Sequence, residues 1–103
     1  MSVKLLLLKS GDQIISDVKE IVRNEVEPRV VEGYLLDKPH KILATKPVVL
    51  TENFNDERNI EITLSPWILL TEDKEMTVPK EWVITIVNPI KSIVKMYQEK
   101  VDG

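Results

Sequence analysis

The sequence predicts a mainly β domain closed by one C-terminal α-helix. Three observations predict it. Apolar residues, most of them β-branched, fall in short runs, as strands prefer. Turn formers such as Ser10-Gly11-Asp12 and Lys38-Pro39 punctuate those runs. Only the last stretch joins helical spacing to a helix-start signal.

Val3 to Lys9 reads as the first strand. Leu5 to Leu8 is apolar on both faces, so both faces must be covered, by the core or by a partner chain. Gln13 to Val22 carries Ile14, Ile15, Val18, Ile21 and Val22 at helical spacing, and Asp12 could cap a helix. All five are β-branched, however, and a tight turn after a strand favours a hairpin, so the segment reads as a strand.

Arg23 to Pro28 is a polar loop closed by proline. Strand signals resume at Val30-Val31 and run through Tyr34-Leu35-Leu36. Lys38-Pro39-His40 interrupts them before Ile42-Leu43 and Val48-Val49-Leu50. A proline cannot donate to a ladder, so these pieces are bent, bulged or at an edge. Thr51 to Asn59, rich in Asn, Asp and Glu, is an exposed loop.

Ile60, Ile62 and Leu64 alternate with Glu61, Thr63 and Ser65 as in a half-buried strand. Pro66 breaks the ladder and Trp67 to Leu70 continues it; Glu72 to Glu75 is a charged turn. Trp82 to Val87 is the last strand, apolar except for Thr85, which implies burial on both faces. The strands fall within 3–88. A helix follows over 89–101, with Asn88 as cap, Pro89 in the first turn, and Ile90, Ile93, Val94, Tyr97 and Val101 on one stripe.

With 103 residues the chain has the length of one domain, spanning 1–103. It contains no cysteine, which removes disulfides and thiolate chemistry and fits a reducing compartment. No signal peptide is visible, and no apolar stretch nears the ~20 residues that span a bilayer. The expectation is a cytoplasmic protein without a membrane partner. The net charge of −3 argues against a broad phosphate-binding surface but leaves room for a local one.

Catalysis and metal binding find little support. His40 is the single histidine, no Gly-x-Ser-x-Gly elbow is present, and Asn53, Asn55, Asp56 and Glu57 lack calcium-loop spacing. Gly11, Gly33 and Gly103 fit no phosphate loop. The expectation is a non-enzyme with no cofactor and no metal. Lys38, His40 and Lys41, with Lys46 nearby, form the one basic group suited to a polyanion. Trp67 and Trp82 alternate with apolar residues, which suits core packing better than base stacking.

Four stretches, read in order, resemble the Sm-like (LSm) family, in particular small Sm-like proteins of marine T4-like phages. They are Gly11 to Val18, Leu36 to Pro39, Ser65-Pro66-Trp67, and Val78 to Pro89. The resemblance runs across most of the chain. It implies a strongly bent five-stranded antiparallel Sm-like (SH3-like) barrel with the C-terminal helix appended. It also implies a homo-oligomeric ring, assembled edge to edge, that binds single-stranded RNA or DNA, in the host cytoplasm if the chain is phage-encoded.

The departures are specific. Ser16 stands where the family has a second glycine. Of the family's RNA-contacting loop only Asn24 falls in the right region. Val78 to Val83 replaces the Ile-Arg-Gly pattern, with Lys80 two places from its arginine. The helix follows the sheet rather than preceding it. The expected nucleic-acid contacts are therefore Arg23, Asn24 and Lys80, with Lys38, His40 and Lys41 second. The alternative expectation is a structural or adaptor protein that binds protein partners through its sheet edges.

Overall fold

A computed structural model describes residues 2–23, 27–45 and 61–102. Six strands, β1 (Ser2–Leu8), β2 (Gln13–Val22), β3 (Val31–Thr45), β4 (Glu61–Pro66), β5 (Glu75–Pro79) and β6 (Val83–Val87), precede one helix, α1 (Lys91–Asp102). Every ladder is antiparallel. The order is β4-β3-β2-β1-β6, with β5 also pairing β3. The expected Val48–Leu50 strand and Thr51–Asn59 loop lie outside the described residues.

The strand reading of Gln13–Val22 holds: its β-branched residues pair with β1 on one side and β3 on the other. The turn before it needs a left-handed residue, and Gly11 supplies φ of 90°. Leu8 N–H donates to the Asp12 carbonyl at 3.0 Å to close that hairpin.

The expected count of five strands is corrected to six, and the sheet does not close: among the described residues no ladder joins β6 to β4 or β5. Pro66 ends β4, and Trp67–Leu70 leaves the ladder instead of continuing it. β3 holds both short strands on one edge, β4 along His40–Thr45 and β5 along Gly33–Asp37. Lys38-Pro39-His40 does not interrupt β3. Lys38 takes φ of 51° and the strand runs on through the kink.

Each sheet face has its own core, because successive side chains alternate. Leu6, Leu8, Ile14, Leu36 and Val78 fill one face, with Tyr34, Trp67, Val83 and Ile86 packed around them. Ile15, Leu64, Ile93 and Tyr97 form the other, with Leu5, Ile42 and Met96 alongside. Helix α1 packs on this second face, yet the both-faces burial expected for β1 is met only on the first: Leu6 and Leu8 are buried, whereas Leu5 and Leu7 are half-buried. Each fully buried Leu or Ile contributes roughly 1.5–3 kcal/mol.

The last strand departs from its expected burial. Ile84 is 60% exposed and Val87 50%. Leu7 pairs with Thr85 while Leu8 pairs with Val83, so Ile84 has no partner in the ladder and bulges outward. The helix begins at Lys91, later than expected. The Ile90 carbonyl accepts from Val94 N–H at 3.1 Å, whereas the Asn88 side chain accepts from Lys4 Nζ instead of capping the helix.

Candidate nucleic-acid interface

Two of the expected contact residues leave the sheet at the same end. Ile21, Gly33 and Pro79 lie in one row across β2, β3 and β5. β2 and β5 are both antiparallel to β3, so they run the same way and exit together. Arg23 lies two residues past Ile21, and Lys80 one residue past Pro79, in the short 3-10 turn Lys80–Trp82. Gly33 permits this approach: a Cβ there would sit 2.5 Å from the Val78 carbonyl oxygen.

Local contacts fix the backbone and leave the cations at the surface. Arg23 N–H donates to the Val30 carbonyl at 2.9 Å, which closes the β2–β3 connection. Arg23 Nε lies 3.6 Å from Glu32 Oε1, and both side chains are about half exposed. Arg29 Nη2 lies 3.2 Å from Glu20 Oε1. Exposed pairs of this kind contribute about 0–1 kcal/mol, so a phosphate can displace Glu32 from Arg23. Lys80 is exposed, with Glu81 beside it, and Trp82, expected in the core as part of the last strand, instead closes the turn and is half-exposed. Asn24 lies outside the described residues, as does Lys46.

Lys38, His40 and Lys41 are placed elsewhere: Lys38 and His40 border one cleft, and Lys41 is not with them. His40 pairs with Ile15 of the helix-covered core, whereas Lys41 pairs with Ile14 of the opposite core. His40 is 8% exposed, so it is corrected from a surface contact to a packed residue. Its Nδ1–H donates to the Lys38 carbonyl at 2.9 Å, and its ring meets Tyr97 edge-on at 5.8 Å between centroids. Lys41 Nζ sits 3.2 Å from Asp12 Oδ1. That partner, through a hydrogen bond first, holds the Asp12 carboxyl below its ordinary value of 3.8. Lys38 N–H donates to the Lys74 carbonyl at 2.6 Å, which spends its backbone on bracing the kink.

Two features escaped sequence reasoning. One is a cleft of about 240 Å³ between the β3 kink and the β4–β5 connection, lined by Lys38, Pro39, His40, Pro66, Ile68 and Met76 among others. The prolines of the kink and of the β4 end were its only signal. The other is a polar web beneath α1. Tyr97 Oη donates to the Asp37 carbonyl at 2.8 Å and accepts from Asp17 N–H at 3.2 Å. The buried Ser16 hydroxyl lies 2.9 Å from the carbonyls of both Asp17 and Asp37. A serine amid β-branched apolar residues was the hint.

Among the described residues no group of three or more His, Asp or Glu side chains could hold a metal ion. No helix among them is long and apolar enough to cross a membrane.

A family model described only as a family of unknown function, DUF6561, matches residues 1–102. The chain belongs to the DUF6561 family. No curated protein matches this DUF6561 chain. Its functional reading therefore rests on the chemistry of its own surface.

Proposed function

We propose that the chain is an Sm-like ring subunit that binds single-stranded nucleic acid, without catalysis, at the sheet end carrying Arg23 and Lys80. One observation carries this reading. Two cations far apart in sequence reach the same end of the sheet, on either side of β3, from the β2–β3 and β5–β6 connections. Those are the connections from which the Sm-like resemblance draws its nucleic-acid contacts.

The topology supports the same reading. β4 and β5 both pair with the same side of β3, end to end, so together they occupy the place of one long strand. Arg23 supplies a planar fork for phosphate and Lys80 a point charge. Trp82 offers a half-exposed indole on which a base can stack. Among the described residues the edges at β6 and at β4/β5 are unpaired and leave backbone groups for neighbouring subunits to satisfy.

The test is anisotropy of labelled single-stranded RNA and DNA titrated across salt. Binding weakens with salt at a slope of about −0.7 per phosphate neutralised. Lys80→Ala weakens it more than Lys100→Ala, a change at the far end of α1 that removes the same charge. Undetectable binding of both polymers at low salt overturns the reading.

A protein-binding adaptor is the second reading. Exposed apolar residues at the sheet edges favour it, as does the net charge of −3. It predicts no salt-dependent affinity for either polymer.

A further inference from the structure

The connection between β4 and β5 carries the two most exposed large apolar side chains of the described residues, Leu70 and Leu69, with Ile68 beside them. Leu70 is 99% exposed, Leu69 71% and Ile68 47%. This apolar tip is braced. At one foot Trp67 N–H donates to the Pro39 carbonyl at 3.0 Å; at the other the Lys74 carbonyl accepts from Lys38 N–H at 2.6 Å. Between them Asp73 N–H donates to Thr71 Oγ1 at 3.1 Å. Both feet stand on the kink of β3, so the loop projects from the β4/β5 edge with little ordering entropy left to lose on binding. Glu72, Asp73 and Glu75 surround its return, with Lys74 the one cation among them.

The opposite edge has the complementary character. β6 and the start of α1 expose Ile84 at 60%, Val87 at 50% and Ile90 at 65%. From Trp82 to Gln98 the chain has no carboxylate, and Lys91 and Lys95 stand one helical turn apart, both exposed. Lys4 reaches the same place through its bond to Asn88.

We infer that the loop 67–74 of one copy docks on the β6–α1 edge of a second copy, Leu69 and Leu70 against Ile84, Val87 and Ile90, with the acidic collar against Lys91 and Lys95. The contact is heterologous, so it propagates head to tail and closes when the rotation fits. It rests on the assembly half of the proposed function and names the side chains that make it. The acidic collar opposes an anionic membrane as the occupant.

Light scattering and sedimentation on the full chain test it. Leu69→Asp with Leu70→Asp, both at exposed positions, leaves the circular dichroism melt unchanged and weakens association by at least about 100-fold. Glu72→Lys with Asp73→Lys weakens it about tenfold, and so does Lys91→Glu with Lys95→Glu. Mixing these two charge-reversed chains restores assembly, because each acidic loop then meets a basic edge or the reverse. Unchanged assembly by the double-Asp chain overturns the docking and leaves the ring. A wild-type mass of 11.9 kDa at every concentration overturns both. Binding of the loop to anionic vesicles without self-association also overturns it.

Discussion

Tyr97→Phe isolates what the hydroxyl under α1 contributes. The ring stays the same size, so the packing of Tyr97 against Ile15, Leu64 and Ile93 is kept. Two contacts go: the donation to the Asp37 carbonyl and the acceptance from Asp17 N–H. They are unequal losses. The Ser16 hydroxyl still lies 2.9 Å from the Asp37 carbonyl and can serve it. Asp17 N–H loses its side-chain partner in a place where Tyr97 is only 3% exposed and excludes water. An orphaned buried donor costs about 1–3 kcal/mol and a lost neutral bond about 1 kcal/mol, so the expected destabilisation is about 2 kcal/mol. For a domain of this length that lowers the melting temperature by roughly 10 °C. Urea unfolding followed by tryptophan fluorescence measures it, with m unchanged because the buried surface is unchanged. A loss below about 0.5 kcal/mol refutes the reasoning and means that water or the backbone supplies Asp17 instead.

Two more outcomes are expected of the same sheet and helix. Gly33→Ala places a Cβ 2.5 Å from a backbone oxygen, so β5 must retreat by about 0.9 Å to reach ordinary contact. The expected cost is about 1–3 kcal/mol in a urea melt, and oligonucleotide affinity falls too because Lys80 moves with β5. Burial, chiefly, pushes the Tyr97 phenol above its ordinary value of 10.0. The folded state then holds the proton longer than the unfolded chain, so this contribution is complete below pH 10 and is lost as pH rises through the folded value. A pH series of urea midpoints shows that alkaline decline in the wild type and a shallower one in Tyr97→Phe.

Local chemistry made much of the sheet legible in advance. Gly11, the β-branched run of β2 and the alternation of β4 each point to one structure, and each forms it. The errors fall where tertiary context decides. Trp67–Leu70 has strand propensity, but β3 offers it no partner once Pro66 has ended the ladder and Lys38 has kinked. Trp82–Val87 looks buried on both faces, yet its strand starts at Val83, lies at an edge and bulges at Ile84. Asn88 has the makings of a cap, but its oxygen is taken by Lys4 from the other end of the chain. Of the expected contacts, Arg23 and Lys80 leave the sheet at one end, which no spacing in the sequence announces, whereas the Lys38–Lys41 group looked like one patch because it is contiguous. Alternation along a strand sends neighbours to opposite faces, and a histidine counted as a charge became a packing residue.

The pairing of β1 with β6 gives the domain an uneven interior economy of motion. Leu5 pairs with Val87 across almost the whole chain, while β2 is held along its length by hairpin and neighbour. Among the described residues β6 pairs only with β1, at the end of the sheet, whereas β2 is paired on both sides. The expected outcome is that β6 opens ahead of β2, with β1, β2 and β3 still paired. In amide exchange this divides the protein in two. The inward amides of β6 exchange through a partial opening, and those of β2 wait for global unfolding. The strand that carries the outer edge is thus also the strand most easily lent to a neighbour.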